Sequence, residues 1–74
     1  MISNKDLQTL VRLRLESGYS MAQLVDATGI DGATISWELK QFGKAHNVDL
    51  NSPLQCKRIS KADEARILAI VYEL

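Results

Sequence analysis

The chain has little of most things that announce a function. It holds one cysteine (Cys56), one proline and one histidine in 74 residues. A single thiol excludes an internal disulfide and any metal site built from several cysteines, and it fits a reducing compartment. Aromatic residues make up 5% of the sequence and the formal net charge is zero, so the overall positive charge common among nucleic-acid binders is missing. The longest unbroken apolar run, Ile67 to Tyr72, is far too short to cross a bilayer, and the N-terminal stretch lacks a signal-peptide core; a cytoplasmic protein is expected. There is no phosphate-cradling glycine motif, no Cys/His cluster and no nucleophile elbow, and His46 has no evident partner. Neither an enzyme nor a bound metal or cofactor is expected.

What is present reads as one small globular domain. The chain is 46% hydrophobic and 24% charged, with four glycines, which sets it apart from disordered compositions. Its length allows a single modest core that a partner subunit would usefully supplement. The balanced charge is unevenly spread. Residues 1–36 carry three basic against four acidic side chains, and the last thirteen carry Arg66 against Asp63, Glu64 and Glu73. Between them, residues 37–61 carry Lys40, Lys44, Lys57, Arg58 and Lys61 against Glu38 and Asp49, enough for one local basic surface.

Helix boundaries are marked by caps. Ser3 with Asp6 predicts an N-terminus, after which Leu7, Leu10 and Val11 recur at helical spacing until Gly18. Ser20 with Gln23 is a capping box opening a second helix that runs to about Thr28, with Leu24 and Val25 as core positions. Gly29 falls where a helix ends in a left-handed residue, a conformation that costs a side chain bearing a Cβ roughly 1 kcal/mol. Ile30 then turns inward and Asp31 caps a third helix, Gly32 to about His46. At ~100° per residue its Ile35, Leu39 and Phe42 share one stripe, with Ala33, Trp37, Lys40 and Lys44 on the other side. Val48 and Leu50 alternate with polar residues, Asn51-Ser52-Pro53 signals a turn, and Leu54 and Cys56 alternate again before Lys57-Arg58-Ile59; a short β-hairpin and a plain loop are both open here. Ser60 with Asp63 caps a last helix.

The segment "MAQLVDATGIDGATISWELK", Met21 to Lys40, resembles the helix-turn-helix transcription regulators of bacterial, phage and plasmid type. Leu24, Gly29, Ile30 and Ile35 fall where that family places an apolar residue, the turn glycine, an apolar plug and a β-branched core residue. Val25 stands where the family usually has alanine and Glu38 where it has an apolar residue, a packing role expected to pass to Leu39. The resemblance implies a mainly α fold: a three-helix core, with a hairpin wing where the hairpin forms, and a C-terminal helix of about 60–74. It also implies sequence-specific binding of double-stranded DNA by the helix from Gly32. Gly32, Ala33, Ser36, Trp37 and Lys40 would face the major groove, Thr34 and Lys44 would lie nearer the phosphates, and Lys57 and Arg58 would touch the backbone from a wing. Gly32 and Ala33 would also let the first-turn amides approach a phosphate.

Each residue also has a plainer role. Trp37 can fill a core or an interface, and the basic side chains can be ordinary solvated surface. His46 is expected at the surface or a helix end, and Cys56 as a small buried residue. The rival to DNA binding is a protein-interaction module that docks a partner through the Trp37 face or the last helix. That helix carries Ile67, Leu68, Ile70, Val71, Tyr72 and Leu74 on almost every side, more apolar surface than one small core takes, so a homodimer paired through these six residues is expected.

Overall fold

Side-chain caps set the start of each helix among the described residues. The chain is described here by a computed structural model covering residues 2–51 and 59–74. The Ser3 hydroxyl accepts from the Asp6 N–H at 3.1 Å and opens α1 (Asn4–Glu16). At α2 (Met21–Thr28) both halves of the capping box form: Gln23 N–H donates to Ser20 Oγ at 3.2 Å, and Ser20 N–H donates to Gln23 Oε1 at 2.8 Å. Asp31 caps α3 (Gly32–Ala45), and Ser60 caps α4 (Lys61–Tyr72) by accepting from Asp63 N–H at 3.1 Å. Each cap satisfies one amide that the helix itself leaves unpaired. Gly29 ends α2 at φ 74°, in the left-handed region, so the connection to α3 is only three residues long.

α1 packs chiefly against α4 and α2 against α3, and α1 also touches α2 and α3. Leu10 and Val11 of α1, Leu24 of α2, Ile35 and Leu39 of α3 and Ile67 and Val71 of α4 are wholly buried, together with Leu50 from the segment after α3. Leu7, Val25, Ile30 and Phe42, expected inside, are half-buried at the margin of this core. Leu39 does take the packing place, while Glu38 is half-buried with Oε1 shielded from water and unpartnered among the described residues.

The α2–α3 crossing accommodates Val25 through a size exchange. A Cβ placed on Gly32 would lie 3.8 Å from Val25 Cγ2, an ordinary contact. The small residue thus sits on α3 and the larger one on α2, the reverse of an alanine on α2. Gly32 is half-buried, and a Cβ there would point toward Val25 of α2. Replacing it with alanine is expected to be neutral or to stabilise the fold by up to about 1 kcal/mol, because helix propensity improves and nothing clashes. Chemical denaturation checks this; a loss of more than about 1 kcal/mol would mean the helices are closer than they stand here.

No strand is present among the described residues, and the hairpin considered over 48–59 is not seen. Its first arm is a turn. Val48 N–H donates to Gly43 O at 2.9 Å across Asn47, which holds φ 60°, the six-to-one closure of a Schellman ending. Asn51 N–H then donates to Asp49 Oδ1 at 3.0 Å, an Asx-type turn. Positions 52–58, including Cys56, Lys57 and Arg58, lie outside the described residues.

α4 corrects the expectation of a surplus apolar helix. Ile67 and Val71 are core residues of the single chain and are not available to a partner. Tyr72, 52% exposed, is nevertheless engaged within the chain. Its hydroxyl donates to Glu16 Oε1 at 2.7 Å and its ring lies 5.1 Å from the Arg12 guanidinium carbon. The bond to Glu16 is the main cause raising the Tyr72 hydroxyl above the ordinary phenol value, so it stays protonated and able to donate. One helical turn earlier on α1 the Gln8 side-chain amide donates to Val71 O at 3.0 Å. Gln8, Arg12 and Glu16, four apart, thus form one ridge that seats the end of α4. Leu68 and Ile70 are half-buried, and Leu74 remains 45% exposed.

Candidate nucleic-acid interface

The outer side of α3 is set by the burial of its inner side. With Ile35 and Leu39 inside, Ala33, Trp37, Lys40 and Lys44 all emerge at the surface, as does Gln41. Trp37 is 54% exposed, so it is not core filler. An indole half in water beside two ammonium groups offers a flat apolar face and one N–H donor next to positive charge. Gln41 was not anticipated. It supplies the paired donor and acceptor that can read adenine, a capacity the first turn of α3 lacks. Its exposure on the Trp37 side follows from the helical spacing and was legible in the sequence.

At the N-terminus of α3 a carboxylate of the chain itself makes the cap. Thr34 N–H donates to Asp31 Oδ2 at 3.1 Å, and the Thr34 hydroxyl donates to Asp31 Oδ1 at 2.6 Å. The hydroxyl bond first, then the amide bond, holds the Asp31 carboxyl below its ordinary value of 3.8. Asp31 is therefore ionised at neutral pH, and its negative charge stands at the start of α3. Linkage gives the sign: a depressed carboxyl contributes stability that is complete above the ordinary value and is lost as pH falls through the lower folded value. Thr34, bound to Asp31, is a capping partner.

Toward its other end α3 meets the segment after it. Ser36, Lys40 and Lys44, four residues apart, line one side of an open groove of about 450 Å³, and Val48 to Asn51 line the other. Ser36 is half-buried on this wall and does not share the outer stripe with Trp37. The end of α3 is fastened to α4, because Arg66 donates to His46 O at 2.9 Å and also reaches Asp63 Oδ1 at 3.4 Å. A guanidinium at a helix C-terminus satisfies an orphan carbonyl and opposes the helix dipole favourably. His46 is thus a helix-end residue, with its ring 4.6 Å from that of Phe42.

The residue least visible in the sequence is Arg14. It is 2% exposed and donates three ways: from Nε to Leu50 O at 2.9 Å, from one terminal nitrogen to Tyr19 O at 2.7 Å, and from the other to Asn51 O. It ties the α1–α2 connection to the segment beside α3. Only the oddity of a basic residue four positions after buried Leu10 pointed to it.

Among the described residues no group of His, Cys, Asp and Glu side chains is arranged to hold a metal, and no helix is long and apolar enough to cross a membrane. Comparison of the chain with protein-family models, with curated proteins and with solved structures gave no match.

Proposed function

We infer that the protein is a sequence-specific double-stranded DNA-binding regulator of transcription, in which α2, the Gly29 turn and α3 act as a helix-turn-helix unit and α3 enters the major groove. The observation that carries this reading is the exposed stripe of Trp37, Lys40, Gln41 and Lys44 on a helix held by a three-residue turn against its brace. Lys40 and Lys44 anchor the helix, while Trp37 and Gln41 contact bases. Lys57 and Arg58, which follow the groove's far wall in sequence, add backbone contacts. Two copies act together, paired through the end of α4, where Leu74 is exposed and Leu68 and Ile70 are half-buried. Each then presents one α3 to half-sites about one helical turn apart.

A protein-docking role for the Trp37 face is the second reading, favoured by zero net charge and an indole that is 54% exposed. Binding to a random-sequence duplex separates the two. Four phosphate contacts, from Lys40, Lys44, Lys57 and Arg58, predict an affinity that falls roughly 150-fold between about 50 and 200 mM salt. Absence of duplex binding at the lower salt would leave the docking role. Sedimentation with and without DNA measures the copy number, and one protein per site throughout would remove the paired arrangement.

A further inference from the structure

The groove beside α3 has a wall built from inside the core. Asn47 and Val48 reverse the chain, Leu50 is fully buried, and buried Arg14 holds the carbonyls of Leu50 and Asn51. The opposite wall offers Lys40 and Lys44, about 6 Å apart along the helix axis, with Ser36 one turn before them. Cations in a row along an open cleft suit an extended polyanion better than a single enclosed anion. Arg14 contributes beyond its hydrogen bonds. Its three acceptors are carbonyls, not carboxylates, so its hydrogen bonds bring no opposing anion and the guanidinium adds to the field of the groove whose wall it holds. Against these stands one carboxylate on the lining, Asp49.

We propose that this groove receives the phosphodiester backbone of one DNA strand between Lys40 and Lys44 on one side and the 48–51 segment on the other, and that Arg14 is the positioning residue that sets its far wall. The proposal rests on the DNA-binding reading and deepens it. Phosphates run along the groove and do not cap the N-terminus of α3, where Asp31 already sits. Asp49 limits the affinity, since a strand seated here passes a like charge. Its removal is therefore a gain-of-binding test that a folding defect cannot imitate. Asp49→Asn keeps an oxygen for the Asn51 N–H and deletes the charge.

The experiment measures binding of a labelled 20-base-pair duplex by fluorescence anisotropy across a salt series, for the intact chain, Asp49→Asn and Arg14→Lys. Asp49→Asn is expected to bind at least threefold tighter at about 50 mM salt, with the gain shrinking as salt screens it. Arg14→Lys keeps the charge but loses the planar fork that holds two carbonyls of the wall. Under conditions where circular dichroism shows it folded, it is expected to bind about tenfold more weakly, with the salt slope reduced by about one, because a displaced 48–51 wall no longer seats a phosphate against one of the two lysines. A merely structural arginine would leave affinity per folded molecule and slope unchanged. Duplexes with a single neutral methylphosphonate linkage locate the strand: at the linkage seated in the groove, the Asp49→Asn gain should vanish. Inorganic phosphate is the control for a simple anion site, and its displacement of the duplex at millimolar concentration and constant ionic strength would overturn the strand assignment. Unchanged binding by Asp49→Asn, while the intact chain binds duplex through Lys40 and Lys44, overturns the groove and leaves the DNA-binding reading standing. An intact chain that binds no duplex overturns both. Should Arg14→Lys not fold, the Asp49→Asn and methylphosphonate results decide the groove.

Discussion

Replacing Gly43 with alanine will destabilise the fold by about 2 kcal/mol or more, although alanine is the better helix former by about 1 kcal/mol. Gly43 is buried in the last turns of α3, and a Cβ there would lie 2.5 Å from Val48 O, with Val48 C at 3.4 Å and Leu50 N at 3.5 Å. Those are backbone atoms, so no rotamer change relieves the overlap. Either the helix end or the 48–50 segment must move. Moving the segment lengthens the Val48 N–H to Gly43 O bond and draws Leu50 from the core. Overpacking of this kind costs roughly 1–3 kcal/mol, and partial exposure of a leucine adds to it. For a domain of this size 2 kcal/mol corresponds to a fall in Tm of roughly 10 °C. Thermal unfolding by circular dichroism measures it, with Gly32→Ala as the control in the same helix. A rise in Tm for Gly43→Ala would show that the 48–50 segment does not lie against α3.

The second large effect is on binding. A Lys40→Ala, Lys44→Ala double variant is expected to lose about 10²-fold in affinity for any duplex at about 50 mM salt, and to lower the salt slope by about two. The figure follows from counterion release: each contact contributes about 15-fold at that salt relative to 1 M. Both lysines are exposed, so the fold should be unaffected, and unchanged thermal unfolding is part of the expected result. Trp37→Ala should instead change the ranking among sequences more than the salt slope. Full-strength binding by the double lysine variant would show that DNA does not meet this side of α3.

The parts of this structure legible in the sequence are those governed by neighbours along the chain. The four N-caps, the capping box and the left-handed Gly29 are decided within four residues, so Ser3, Ser20, Asp31 and Ser60 stand where their spacing placed them. The two faces of α3 followed from its periodicity for the same reason. The parts that were not legible depend on contacts between distant segments. Leu50 looked like one arm of a hairpin but is a core residue, because Arg14, thirty-six positions earlier, holds its carbonyl. Ile67 and Val71 looked surplus because nothing local indicates that α1 lies open until α4 covers it. The Asp31–Thr34 pairing was half legible: the cap to the Thr34 amide was foreseen, but the second bond, from the Thr34 hydroxyl, was not.

The ridge of Gln8, Arg12 and Glu16 that receives α4 also bears on the order in which the chain folds. Its bonds to Val71 and Tyr72 span 63 and 56 residues, whereas α2 and α3 need close only a three-residue connection. Closure entropy grows with the length of chain drawn in, so the α2–α3 pair is expected to form early and the arrival of α4 to be the late event that completes the hydrophobic interior. In the reverse direction α4 is expected to be the first element to detach. Its departure uncovers Leu10 and Val11 while leaving α2 and α3 together, which makes it a natural unit of partial opening whose amides should exchange with solvent ahead of those in the α2–α3 pair.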